Sequence, residues 1–251
     1  MCDETVPKNK QEVASGVIAD ADRYEPKFIA LEDATVLDVP DVVALEQAIA
    51  AQGTSLATLM DRAGASIAQV VREEAAQPCH VVALCGTGNN GGDGWVAADL
   101  LAEVGYRATI VTPREAESVK TEPAHSAAMR TTKSQRADIV VTADEQELDA
   151  VLSDADVVID AVLGTGFSSD ELHGSAASYV AALGRMRERG GQRKVLVVAA
   201  DVPSGLSAQT GRAADLVVRA DVTVTMIVAK PGLLSDEGRM LCGRIVVADI
   251  A

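Results

Sequence analysis

From Pro78 onward the chain alternates short β-branched runs with helical stretches, and this alternation constrains the fold more than any other feature. The expected strands cover residues 81–85, 108–111, 138–141, 157–160, 195–200, 222–227 and 245–248. Helical candidates fill the gaps at about 94–104, 123–131, 145–152 and 176–189. Runs such as Val195-Leu196-Val197-Val198-Ala199-Ala200 are apolar on both faces, so the sheet they build must be covered on both sides. Strands of that kind, separated by helices, imply an α/β fold: a three-layer, doubly wound, mainly parallel sheet of Rossmann-like type. Ligands collect at the carboxyl ends of the strands in such a sheet.

Ahead of the sheet, residues 42–74 read as two helices. In the second, Leu56, Leu59, Met60, Ala63, Ile67, Val70 and Val71 recur at three- and four-residue spacings along one face. Ser55 is placed to cap it, and Gly53 to end the helix before it. Residues 1–36 show no sustained period and read as a mobile acidic leader, leaving 37–251 as one domain with two helices added at its front. The first fifty residues hold 11 acids and 4 bases, so nearly half of the net charge of −15 sits near the leader.

That charge excludes several function classes. Binding to a nucleic-acid backbone works by cationic counterion release, which an acidic chain cannot supply. Only six aromatic residues are present (Trp95, Tyr24, Tyr106, Tyr179, Phe28 and Phe167), too few for a base-stacking platform. No run of 18 or more apolar residues exists, so no membrane span is expected. Cys2, Cys79, Cys85 and Cys242 lack CxxC spacing, and His80, His125 and His173 complete no ligand set, which argues against a zinc site or disulfide framework. The cysteines read as small core residues, the histidines as surface or satisfied groups, and the compartment as a reducing cytoplasm.

Four segments carry chemistry. Cys85-Gly86-Thr87-Gly88-Asn89-Asn90-Gly91-Gly92-Asp93-Gly94 follows the first strand, and a glycine-rich loop there brings backbone N–H groups and a helix N-terminus to a phosphate. It spells Gly86-x-Gly88-x-x-Gly91, yet the acid that a dinucleotide fingerprint needs after the next strand is replaced by Val111-Thr112-Pro113-Arg114. The plain alternative is a tight turn with Asp93 as a helix cap. Asp160-Ala161-Val162-Leu163-Gly164-Thr165-Gly166-Phe167 and Asp201-Val202-Pro203-Ser204-Gly205 each place an acid at the end of a buried strand, ahead of a turn. Three carboxylates at one edge of a sheet suggest a polar site more than three separate caps. In Thr223-Val224-Thr225-Met226-Ile227-Val228-Ala229-Lys230-Pro231-Gly232, Lys230 either neutralises a phosphate, pairs with one of the acids or ends a strand in solvent.

Taken together, CGTGNNGGDG, DAVLGTG, DVPSGLSAQTG and the TVT…AKPG segment resemble the YjeF N-terminal domain family, the NAD(P)HX epimerases. The upstream LMDRAG at Leu59 to Gly64 is similar to that family's helix before the first strand. Thr87 stands where the family often has Pro, while the Gly and Asn positions are kept. The resemblance implies an isomerase that interconverts the R and S forms of NADHX and NADPHX, hydrated at C6 of the nicotinamide ring, in nicotinamide nucleotide repair. It implies that Asn89, Asn90, Gly91, Gly92 and Asp93, with Gly164, Thr165, Gly166, Phe167, Ser168, Ser169 and Asp170, line the substrate and that Asp201 contacts it. It further implies that Asn90, Asp160 and Ser204 hold K⁺, a set of oxygen donors suited to a hard cation. Asp201 is the first choice for general acid/base and Asp93 the second. The resemblance also implies a homodimer. In many bacterial members an ADP-dependent dehydratase domain follows; nothing in this chain resembles it, so a longer parent protein is an open expectation. Two other classes compete: a noncatalytic nucleotide-binding or protein-interaction module of the same fold, and an NADP-dependent oxidoreductase resting on the GxGxxG spelling and Arg114.

Overall fold

The computed structural model describes residues 24–189 and 194–251. Its eight strands form a single sheet in the order β1-β8-β7-β6-β5-β2-β3-β4. They are β1 (Lys27–Ile29), β2 (His80–Cys85), β3 (Arg107–Thr112), β4 (Asp138–Val141), β5 (Val157–Ala161), β6 (Leu196–Ala200), β7 (Val222–Met226) and β8 (Arg244–Asp249). Every pairing is parallel except β1 on β8. The helices are α1 (Val39–Ala51), α2 (Leu56–Glu74), α3 (Asn89–Glu103), α4 (Ala124–Ser134), α5 (Glu145–Leu152), α6 (Gly174–Arg189), α7 (Pro231–Leu234) and α8 (Asp236–Cys242).

Alternation along each strand divides the core into two layers. In β2, Val81, Ala83 and Cys85 join one cluster with side chains of α1 to α4, while Val82 and Leu84 join another with α5 and α6. All six residues of β2 are buried, as a strand packed on both faces must be. A smaller apolar cluster joins Val202, Leu206 and Ala208 to Leu233, Leu241 and Cys242, anchoring α7 and α8 at the β6 side. Ser55 accepts a hydrogen bond from the Thr58 N–H at 3.1 Å as the α2 cap, and Gly53 lies at a φ of 113° just past α1.

The sheet departs from the expected one at its edge. Lys27–Ile29, expected within the leader, is an antiparallel edge strand, and Val36 forms a bridge to Ala229. Residues 1–23 of that leader lie outside the described residues.

Candidate active site at the strand switch point

Connections from β2 run outward through β3 to β4, whereas those from β5 run the other way through β6 to β8. The two directions part between β2 and β5, the point at which open α/β sheets bind their ligands. Gly86 crosses it closely: its N–H donates to Ala161 O at 2.9 Å, and a Cβ on it would lie 2.1 Å from Val162 O.

The glycine-rich segment is mostly helix, not loop. α3 begins at Asn89, five residues before the expected start, so Gly91, Gly92 and Asp93 lie in its first turns and Asp93 is neither at a strand end nor a cap. Gly88 is the cap residue and offers no side chain, which leaves the amides of the first turn open at this edge of the sheet. Packing accounts for most of the glycines. A Cβ on Gly91 would stand 2.0 Å from Gly86 O, one on Gly92 would strike Met60 of α2, and one on Gly94 would lie 2.6 Å from Ala161 Cβ. Only Gly88, in this stretch, has open space where a Cβ would be.

Asn90, Asp160 and Ser204 are brought together although they come from three separate loops or element ends. Ser204 donates from its backbone N–H to Asp160 Oδ2 at 2.8 Å and from its hydroxyl to Asp160 Oδ1 at 2.6 Å. The Leu163 N–H donates to Ser204 Oγ at 2.9 Å, and Asn90 Nδ2 donates to Leu163 O at 3.0 Å. Asp160 is fully buried, and burial pushes its carboxyl up to about 6 against the hydrogen bonds from Ser204 and Val162. Among the described residues no cation pairs with it. Among the described residues Asn90 Oδ1 is buried and has no hydrogen-bond partner. A buried carboxylate without a counter-charge, beside an orphaned amide oxygen and a hydroxyl with a spare lone pair, is a donor set that a hard cation fits. Gly205, at a φ of 93° and with Leu216 O against its Cβ position, lets the loop turn that brings Ser204 here.

Asp201 directly follows β6 at a φ of 64°, with the Val202 N–H bonded to Ala200 O at 2.8 Å. One strand over, Ile227 repeats the arrangement at a φ of 66°, with the Val228 N–H bonded to Met226 O at 2.7 Å. These are γ-turns with positive φ, strained for any residue with a Cβ and costing about 1–3 kcal/mol each. Strain at two adjacent strand ends places Asp201 and Lys230 together. Lys230 is 1% exposed, and its Nζ donates to Asp201 Oδ1 at 2.6 Å, Thr225 Oγ1 at 2.9 Å and Met226 O at 2.9 Å. Of the readings open for Lys230 in the sequence, the one in which it pairs with an acid is the one the structure shows.

Asp93 is partly exposed and faces a different electrostatic environment. Its carboxyl is held well above the usual range, first by desolvation and then by the negative charges of Asp201, Glu46 and Asp61, with Lys230 opposing. Glu46 on α1 is raised as well, by burial and by Asp201. Nothing in the sequence marks Glu46, because a lone acid on a helix of this kind reads as a solvated residue; it is the packing of α1 on the core that half-buries it.

The segment after β5 is held at both ends. Gly164 lies against Asn90, and Phe167 packs on the α5 and α6 side of the core. Thr165 is half-buried, whereas Gly166, Ser168, Ser169 and Asp170 are exposed. Asp170 turns outward and pairs with Arg212 at 3.1 Å, and Asp215 fixes the segment's end by accepting the Leu172 N–H at 2.9 Å. Asn89 is exposed at the helix start; Gly91 and Gly92 are buried, so only their backbone can meet a ligand. The remaining histidines and cysteines stand apart from this edge or serve packing. His80 is buried against Thr109 Oγ1 at 2.8 Å, His125 bonds Val119 O, and His173 is exposed. Cys85 and Cys242 are buried and Cys79 half-buried; Cys2 lies outside the described residues.

The chain is similar to known proteins over most of its length. A family model described as YjeF-related protein N-terminus matches residues 56–232. An NAD(P)H-hydrate epimerase from Clavibacter sepedonicus is 37% identical, over 84% of this chain and 87% of that protein. A bifunctional NAD(P)H-hydrate repair enzyme from Leishmania braziliensis is 35% identical over 79% of this chain, which spans about a third of that enzyme's length. The crystal structure of the yeast protein ynu0 shares the fold at a TM-score of 0.66 and 22% identity, covering 79% of this chain and 82% of that one. With the family model spanning most of the sheet and an epimerase of similar length 37% identical, the chain belongs to the family of YjeF-related protein N-termini.

Proposed function

We infer that this domain is an NAD(P)H-hydrate epimerase, interconverting the R and S forms of hydrated NADH and NADPH. The observation that carries the reading is the pair of unlike acids at the carboxyl edge of the sheet: Asp201, ion-paired to buried Lys230, and Asp93, whose surroundings favour its neutral form. Two carboxyl groups set apart in this way divide the roles of proton acceptor and proton donor. Inverting C6 requires its hydroxyl to leave and return on the other face. Asp93 supplies the proton to the departing oxygen, Asp201 takes one from the returning water, and the Lys230 ammonium holds Asp201 in place. The open amides at the α3 N-terminus suit the substrate's pyrophosphate. The assay is direct: interconversion of the two epimers must be faster with the protein than without it.

Asn90, Asp160 and Ser204 would hold K⁺, supported by the orphaned Asn90 oxygen and by Asp160, which bonds Ser204 and has no cationic partner among the described residues. When bound, the ion supplies positive charge that offsets the acids near a pyrophosphate. The protein is expected to melt higher in KCl than in NaCl of equal ionic strength, with the difference lost in Asn90→Ala. Saturation to about 100 times Kd corresponds to about 2.7 kcal/mol of stabilisation. Equal melting temperatures in the two salts would remove the cation from the account. Assembly as a homodimer and fusion to a dehydratase domain are part of the same reading, resting on the named repair enzymes for the fusion. Among the described residues no helix is long and apolar enough to cross a membrane.

The donor role of Asp93 has a consequence for stability. Its proton is bound more tightly in the folded chain than in the unfolded one, so its stabilising contribution is complete below the ordinary value of 3.8 and is lost as pH rises. Asp93→Asn is therefore expected to raise the melting temperature at neutral pH, by a margin that shrinks toward pH 4, while slowing epimerisation about 100-fold or more. A variant that is both active and no more stable contradicts the role.

A further inference from the structure

Asp201 stands where the parallel ladder between β6 and β7 would otherwise continue. The last register pair is Ala200 with Val224, and the Asp201 N–H then donates to Val224 O at 2.7 Å, the bond that a residue opposite Thr225 makes in a parallel pair. Its counterpart would run from the Met226 N–H to the Asp201 main-chain carbonyl. The turn at a φ of 64° takes that carbonyl out of the ladder, and the Met226 N–H donates to Asp201 Oδ1 instead, at 3.3 Å. One carboxylate oxygen has replaced a backbone acceptor.

Two more donors converge on the same atom. Lys230 Nζ lies 2.6 Å from Asp201 Oδ1, and the Thr225 hydroxyl lies 3.2 Å from it. Counting protons fixes the direction of the Thr225 bond. An ammonium can only donate, so Thr225 Oγ1 accepts from Lys230 Nζ at 2.9 Å and its own proton is left for Asp201. The remaining Lys230 proton goes to Met226 O at 2.9 Å. All three ammonium protons are thus committed within the protein, in a group where Thr225 and Lys230 are both buried. Lys230 has none left for a phosphate. Among the described residues no donor reaches Asp201 Oδ2, and the Asp201 side chain keeps 12% of its surface exposed. Turning the carboxylate over would strip Oδ1 of three donors, one of them charged, so the two oxygens hold different and fixed places.

We propose that Asp201 Oδ2 is the atom that takes the proton during epimerisation, and that Thr225 is a positioning residue that presents it by locking Oδ1. As the returning water adds to C6, one of its O–H bonds breaks, an Oδ2–H bond forms and the hydroxide oxygen bonds the carbon. The proton on Oδ2 later passes to solvent, and Asp93 regains one from solvent. Oδ1 keeps its three donors throughout, because a carboxyl group protonated on one oxygen still accepts at the other. The inference rests on the epimerase reading; it names the reacting atom and adds a residue that never touches the substrate.

The test is Thr225→Val beside Thr225→Ser in the full chain, with steady-state rates on purified R- or S-NADHX and melting temperatures for both variants. Valine keeps the β-branched shape suited to a buried strand and removes only the hydroxyl. In Thr225→Val, kcat is expected to fall on the order of tenfold or more while KM stays within about twofold of the parent, because the lost bond orients the base and does not meet the ligand. Thr225→Ser retains the hydroxyl without the methyl group and should recover most of that loss. A Thr225→Val protein that melts lower but keeps the parent kcat would make Thr225 a purely structural partner of Lys230. A Thr225→Ser protein as slow as Thr225→Val would show that the methyl group matters and the hydroxyl does not. Either result overturns the proposal while the epimerase reading stands, and a parent chain that does not interconvert the epimers overturns both.

Discussion

Replacing Asp201 with Asn is expected to slow epimerisation by about 10³-fold or more, the upper part of the range for loss of a general acid/base. Asn is the informative substitution because it is among the few residues that tolerate the positive φ of 64° found here, so the turn is retained. The change also leaves the Lys230 ammonium, 1% exposed, without its carboxylate. Breaking a buried pair from one side typically costs about 3–5 kcal/mol, so the single variant should melt well below the parent. Lys230→Met in the same chain removes the stranded charge. The double variant is then expected to regain most of the stability and none of the activity. If activity returned with stability, Asp201 would be a structural partner of Lys230 and not the proton acceptor.

The second large effect separates the glycines of the GNNGGDG segment into two kinds. Gly91→Ala puts a methyl group 2.0 Å from the Gly86 carbonyl, backbone against backbone, where no side chain can move aside. Overpacking of this kind costs about 1–3 kcal/mol even where neighbours relax, and more where they cannot. The variant is expected to lose several kcal/mol or fail to fold, since Gly86 is itself wedged against Val162. Gly88→Ala meets open space and an extended backbone with a φ of −94°, so its melting temperature should stay near that of the parent. What it should lose is affinity, if the pyrophosphate approaches the first-turn amides as the proposed reading has it. Denaturant unfolding of both variants, with substrate KM for Gly88→Ala, distinguishes a packing glycine from a ligand-facing one. A stable Gly91→Ala protein contradicts the packing argument.

The strands of the sheet interior were readable because a strand buried on both faces leaves an unbroken apolar run, and each run expected after Pro78 lies on a strand of the structure. β1 was not readable. It has three residues, two of them exposed, and it exists only because β8 offers an open edge. The start of α3 was hidden for a different reason: Asn89-Asn90-Gly91-Gly92 has poor helix propensity, and only the close approach to Gly86, Met60 and Ala161 makes a helix the lowest arrangement there. The sequence therefore points to Asp93 as an acid of a loop, whereas it is the fifth residue of α3. Asn90, Asp160 and Ser204 are named by the resemblance alone; the structure brings them to a shared turn at Leu163, with an Asn90 oxygen that has no partner among the described residues, which is what supports the proposed cation site. The Asp201 and Ile227 turns carry no sequence signal, since neither is glycine, and Glu46 has none outside the packing of α1. Sequence periodicity reports which face of an element is buried; it does not report which buried face meets which loop.

The most direct test of the central claim follows one epimer in time. Purified S-NADHX or R-NADHX, separated by chromatography and mixed with catalytic protein in KCl buffer at neutral pH, should reach the equilibrium mixture of both epimers far sooner than an enzyme-free control. The acceleration should scale with protein concentration and vanish with Asp201→Asn. Identical approach to equilibrium with and without the protein would contradict the assignment of this sheet edge as an epimerase site, and equal acceleration by Asp201→Asn would contradict the role given to Asp201.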